Sequence, residues 1–159
     1  MPRAARTPDE LPTPAEAAGM PGLEFMTAIL EGRLAGPPIG PALGFDLAEV
    51  EAGRVAFRGA ARFEMANPLG GVHGGWYGVL LDSAMTCAVS TRLPAGRLAT
   101  TLEYKVNVVR ALGFDHPVTA TRWCEAAGRQ VAVARGEIRD AEGRLYATGS
   151  TTCLIRPTA

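Results

Sequence analysis

The sequence predicts an α+β fold in which an antiparallel sheet of about five or six strands wraps one long buried helix. Three observations carry this. Between Gly74 and Thr91, apolar or small residues cover nearly every helical face and Asp82 is the only charge; a helix apolar all round belongs in a core. After it, Leu98–Val109, Val118–Glu125, Gln130–Arg139 and Leu145–Ile155 read as strands separated by turn material. The turns Ala126-Ala-Gly128 and Asp140-Ala-Glu-Gly143 are short, and parallel partners need long crossovers, so the last three strands form an antiparallel meander.

The remaining elements follow in chain order. Residues 1–21 are rich in Pro, Ala and charge without a clear period, which predicts a flexible N-terminal arm ahead of a single domain over 22–159. From Gly22, the run Leu23-Glu-Phe25-Met26-Thr-Ala-Ile29-Leu30 has apolar residues near helical spacing, and Gly32 offers a stop. Gly36-Pro-Pro-Ile-Gly-Pro41 enforces an irregular connection, because Pro fixes φ and lacks a donor. Leu43-Gly-Phe45 with Leu47, and then Gly53–Arg58, are short strand-like runs; Val55 and Phe57 alternate with polar neighbours as in a sheet covered on one face.

Composition narrows the function classes. A chain of 159 residues, 47% hydrophobic and 20% charged, suits one globular domain. Sixteen basic and sixteen acidic residues give zero net charge, which argues against nucleic acid or an anionic membrane as the main partner. Cys87, Cys124 and Cys153 are few, distant and odd in number, so neither a disulfide framework nor a zinc site is expected. With two histidines and no His-x-x-x-His pair, no metal is expected. The polar N-terminus lacks a signal-peptide core, and the apolar stretch from Val79 to Val89 is too short to span a membrane. A soluble, cytoplasmic protein without a cofactor is the expectation.

The chemistry concentrates around Asn67-Pro-Leu-Gly-Gly-Val-His73-Gly74-Gly75-Trp76-Tyr77. His73 stands at the predicted helix start, where its ring could bond the preceding turn and hold the Gly74 amide toward a ligand. Glycine permits close approach, and a helix start supplies free N–H groups and partial positive charge, which together describe an oxyanion site. Asp82 has Gly78, Val79, Met85 and Thr86 as helical neighbours and so no cation in reach on its own helix. A buried carboxylate so placed must be paired from elsewhere, protonated, or open to a ligand cavity. Asn67 alone reads as a turn residue, and Thr101 alone as a β-branched strand residue. No Gly-x-Ser-x-Gly elbow, P-loop or dinucleotide fingerprint occurs.

Asn67…His73-Gly74-Gly75…Leu80-Leu81-Asp82, followed by Thr101-Leu-Glu103-Tyr-Lys-Val-Asn107-Val-Val-Arg110, resembles the hotdog-fold thioesterases of the phenylacetic-acid-degradation (PaaI) type. Gly128-Arg-Gln-Val-Ala-Val-Ala and Asp140-Ala-Glu-Gly143-Arg-Leu-Tyr-Ala-Thr-Gly149 resemble that family's last strands, so the likeness covers roughly residues 40–156. It implies hydrolysis of an acyl-coenzyme A, with aryl, phenylacetyl or medium-chain acyl groups, and no cofactor. The Gly74 amide would polarise the thioester carbonyl, and Asp82 would act as nucleophile or as general base. Asn67 and His73 would position thioester and turn, while Thr101 would place the attacking group or water. Gly75, Trp76 and Tyr77 would border the substrate, and Arg97, Arg110 and Arg129 are candidate contacts for the nucleotide end. The resemblance also implies a homodimer that completes the site, and a homotetramer of two dimers. Trp76 and Tyr77 are bulkier than the family's residues after His-Gly-Gly, and Ala111 replaces a common Pro. A non-catalytic acyl-CoA binder on the same fold is the alternative, and a hotdog dehydratase fits the order of His73 and Asp82 poorly.

Overall fold

The structure, a computed structural model, describes residues 2–158. Strand β1 (Arg3–Ala4) lies parallel to β2 (Ala35–Gly36) as a two-stranded ribbon. Between them come a single 3₁₀ turn at Pro8–Glu10 and two helices, α1 (Pro14–Ala18) and α2 (Gly22–Leu30). A short α3 (Ile39–Leu43) leads into the hairpin of β3 (Phe45–Glu51) and β4 (Arg54–Gly59). The long helix α4 (Gly74–Ser90) follows, then β5 (Arg97–Val108), β6 (Val118–Ala127), β7 (Val131–Arg139) and β8 (Leu145–Pro157).

One antiparallel six-stranded sheet in the order β3-β4-β6-β7-β8-β5 wraps α4, as the apolar run and the meander predict. The inner faces of β4, β6, β7 and β8 present Val55, Phe57, Ala120, Ala132, Ile138 and Cys153 to Leu80, Leu81, Met85 and Val89 of α4. Phe45 and Phe57 meet edge to face at 5.9 Å and close the β3 end of the core. Both edge strands, β3 and β5, leave one row of backbone groups without a partner strand. No helix among the described residues is long and apolar enough to cross a membrane.

The N-terminal stretch, expected as a flexible arm, carries short regular elements. Thr13 caps α1 through a reciprocal capping box with Glu16, and Pro14 begins that helix. The Ala5 N–H donates to the Gly36 carbonyl at 2.9 Å, tying residues 2–5 back to the chain beyond α2. The tie from Ala5 to Gly36 is long-range in sequence, so no local period announces it. At Gly22 a Cβ would overlap the Ser90 carbonyl, so glycine lets the start of α2 sit directly on the end of α4.

One charged side chain lies fully inside the sheet. Arg122 of β6 stretches over Gly136 of β7 and donates through Nη1 to the Thr121 and Glu137 carbonyls. Its Nε and Nη2 have no hydrogen-bond partner among the described residues. Burial holds this guanidinium well below its ordinary pKa, and the Glu137 charge offsets that only in part.

Candidate active site

The loop before α4 is built to present a helix start. Asn67 Oδ1 accepts from the Leu69 and Gly71 N–H groups at 2.9 and 3.1 Å, and its backbone N–H reaches the Gly71 carbonyl. Ala66 bridges Val72, and the His73 N–H reaches the Met65 carbonyl at 2.8 Å. Asn67 Oδ1 therefore builds the loop, while its Nδ2 makes only a 3.4 Å contact to the Val72 carbonyl.

His73 is the N-cap of α4, and its Nδ1 accepts the Gly75 N–H at 2.9 Å. That ring satisfies a donor a helix start would otherwise leave free, and it keeps the ring proton on Nε2. Here the structure corrects two expectations. The imidazole turns onto Gly75 and not onto the preceding turn, and Gly75 has no N–H left for a substrate. The Gly74 N–H, one residue earlier, has no acceptor among the described residues, and nothing lies within 4 Å of where a Gly74 Cβ would stand.

Trp76 and Tyr77 are drawn inward. Trp76 Nε1 donates to the Leu43 carbonyl at 2.8 Å, and the Tyr77 hydroxyl accepts from the Leu112 N–H at 3.0 Å. Tyr77, 2% exposed, is a core residue, which corrects its assignment to the substrate. Trp76 is equally buried but borders a small cavity of about 270 Å³ with His73, Gly75 and Val79. Bulk after His-Gly-Gly thus packs into the core.

Asp82, further along α4, lines a larger cavity of about 480 Å³. Its Oδ1 accepts the Thr101 hydroxyl at 2.9 Å and lies 3.3 Å from Thr86 Oγ1. The two threonine oxygens are 2.7 Å apart. A hydroxyl has one proton, so the shorter contacts favour a relay in which Thr86 donates to Thr101 and Thr101 donates to Asp82. Oδ2 has no hydrogen-bond partner among the described residues, and Asp82 lines the cavity. Cavity access and hydroxyl pairing from β5 together explain how an apolar helix keeps this acid. Thr86 was not among the expected site residues, although its i+4 spacing from Asp82 was the available signal.

Gly74 and Asp82 do not converge within one chain. Eight helical positions separate them, which is about 12 Å along the axis and about 80° around it, and Asp82 lines the larger cavity whereas Gly74 does not. Nor do the three arginines meet. Arg97 reaches the Arg129 carbonyl at 3.5 Å at one end of β5, while Arg110 reaches the Leu145 carbonyl at the other, on the order of 40 Å away along the strand.

The Thioesterase superfamily profile matches residues 69–147. Among solved structures, a variant of the phenylacetic acid degradation protein PaaI from Thermus thermophilus is 30% identical over 74% of this chain and 97% of its own, with a TM-score of 0.67. This chain belongs to the hotdog-fold thioesterase superfamily. A phenylacetic acid degradation-related protein from Ralstonia eutropha is 27% identical over 81% of this chain and 98% of its own, at TM-score 0.74. PaaI from E. coli, 20% identical over 87% and 94% of the two chains at TM-score 0.72, shares the fold. No curated protein matches.

In this hotdog thioesterase chain, Cys87 lines the cavity beside Asp82. Burial, and next the Asp82 charge, push its thiol up to about 12. Burial also raises Cys153 and Cys124. The Cys87 thiol is therefore a protonated group in the cavity wall.

Proposed function

We propose that this chain hydrolyses acyl-CoA thioesters to the free acid and coenzyme A. The observation that carries the reading is Asp82: a carboxylate fixed through one oxygen by the Thr86–Thr101 pair, its other oxygen without a partner among the described residues, on a residue that lines a largely apolar cavity. Such a group can attack the thioester carbonyl itself or take the proton of an attacking water. In either case the developing oxyanion needs a donor, and the free Gly74 N–H at a helix start is suited to supply it.

Because Gly74 and Asp82 of one chain stand about 12 Å apart along α4, the proposed site joins Gly74 of one subunit to the partner subunit's Asp82. The free edge of β5 supports this dimer. It is twelve residues long and carries exposed Leu102, Tyr104 and Val108, with Val109 just beyond, the kind of edge that pairs with another chain. Antiparallel pairing of two such edges would also bring the partner's Arg110 toward the end of β5 that holds Arg97 and Arg129, a cationic setting for the nucleotide. Two dimers forming a tetramer, and residence in the reducing cytoplasm where CoA esters and free thiols persist, complete the proposal.

The test is a panel of aryl-, phenylacetyl- and straight-chain acyl-CoA esters with detection of the released thiol. Turnover is expected, with Asp82→Asn lowering kcat by about 10²–10⁴-fold in a normally folded protein. No turnover across the panel, or an Asp82→Asn variant as active as its parent, would refute the reading. Calorimetric binding without hydrolysis would instead favour the acyl-CoA binder.

A further inference from the structure

The cavity beside Asp82 has two unlike halves. On one side are Asp82, Thr86 and Thr101; on the other, Leu11, Phe25, Ile29, Leu47 and Phe57. The two charged side chains on its apolar side, Arg3 and Asp46, are both exposed at its rim, and Arg3 lies 3.7 Å from the Glu10 carboxylate. A far end without buried charge suits an uncharged acyl group, since a charged one would be desolvated there without a partner.

That far wall is brought together from remote stretches of chain. The cavity is lined from both edge strands of the sheet, β3 and β5, and from the N-terminal strap of residues 2–12 through Pro2, Arg3, Ala4, Leu11 and Pro12. The β1–β2 ribbon and the Ala5-to-Gly36 hydrogen bond hold this strap in place, and Ala5 and Ala35 are buried where the two segments meet. Asp82, Thr86 and Thr101 fall inside the span matched by the family profile, 69–147, whereas every residue of the apolar wall falls outside it.

We propose that the strap of residues 2–12 is the specificity-determining wall of the acyl pocket, and that the pocket takes medium-length, uncharged straight acyl chains. This rests on the thioester reading above. At about 30 Å³ for each water-sized group, a cavity of about 480 Å³ holds roughly a dozen chain atoms beside the reacting thioester. That room fits acyl groups of roughly eight to twelve carbons and is underfilled by a benzoyl ring.

The experiment compares kcat/KM for butyryl-, octanoyl-, decanoyl- and benzoyl-CoA in the wild-type protein, in a variant lacking residues 2–12, and in Leu11→Trp. Leu11 is 37% exposed, so that substitution tests the wall without burdening the fold. The wild type should gain up to about fourfold per methylene from butyryl to decanoyl. In both variants the decanoyl-to-butyryl ratio should fall by about tenfold or more. An unchanged ratio in Leu11→Trp, or a wild type that prefers benzoyl-CoA, would overturn the proposal while hydrolysis itself stood. A wild type that hydrolyses none of these esters removes the catalytic reading alone. The wall is then read from calorimetric binding of decanoyl-CoA, which Leu11→Trp should weaken and which, if unweakened, would again overturn it.

Discussion

Replacing Gly74 by proline removes one N–H group and little else. Gly74 is the first residue of α4, the helical position where proline is best tolerated because that N–H has no intrahelical acceptor. The preceding His73 is extended, at φ −63° and ψ 136°, the conformation a following proline demands. No atom lies within 4 Å of the added Cβ. The fold should therefore survive, with a melting temperature near wild type by circular dichroism. Loss of a single oxyanion donor costs about 10²–10³-fold in kcat, or about 2.7–4 kcal/mol of transition-state stabilisation. Ground-state binding should change much less, so the loss falls on kcat and not on KM. Gly74→Ala is the companion variant: it adds the same Cβ into the same open space and keeps the N–H, so activity within about threefold of wild type is expected. Steady-state kinetics with a good acyl-CoA substrate decides the matter. A proline variant that folds and keeps more than about a tenth of wild-type kcat, or an alanine variant that falls with it, would refute the role given to this amide.

Other predictions follow from the same geometry. Mixing inactive Gly74→Pro with inactive Asp82→Asn, after dissociation and reassociation, should restore about a quarter of wild-type activity, because half the dimers are mixed and each has one intact site; no recovery would place both groups in one chain. Native Cys87 should react with a thiol reagent at pH 8 about a thousandfold more slowly than in urea, given its displacement from 9.0 to about 12; rapid native labelling of Cys87 by peptide mapping would contradict this. Asp140 is buried in the β7–β8 turn. Burial alone would raise its pKa, but hydrogen bonds from the Arg144 backbone and guanidinium, the Tyr146 hydroxyl and His116 hold it well below the usual carboxylate range. A carboxylate with a lowered folded pKa stabilises above its unfolded value of about 4 and loses that contribution as pH falls further. Asp140→Asn should thus melt lower than wild type at pH 7 by a margin that shrinks at pH 3, and a margin that stays constant would argue against the ion cluster.

The strands after α4 were legible almost to the residue. Leu98–Val109 is observed as Arg97–Val108, and Gln130–Arg139 as Val131–Arg139, because turn residues and runs free of helix signals mark strands locally. Asp82 was legible as an anomaly, since charge inside an apolar helix is a local fact. Which of Trp76, Tyr77, Leu11 or Phe25 faces a cavity was not. Apolar residues look alike in sequence whether they pack against a core or a ligand, and only the placement of β1, α2 and β3 around α4 separates them. The Thr13-x-x-Glu16 capping box was a readable signal for α1 that the polar, proline-rich composition of the arm obscured. The use of the His73 ring depended on a rotamer, and no residue pattern specifies that.

The side chain of Arg122 occupies the space that a Cβ on residue 136 would need. The two positions are therefore one unit of variation. While residue 122 is arginine, residue 136 is restricted to glycine, and a shorter apolar residue at 122 would release 136 to carry a β-branched side chain like its strand neighbours. Either change made in isolation leaves a clash or a void, so these two sites in the middle of the sheet should change together or not at all among sequences that keep this fold.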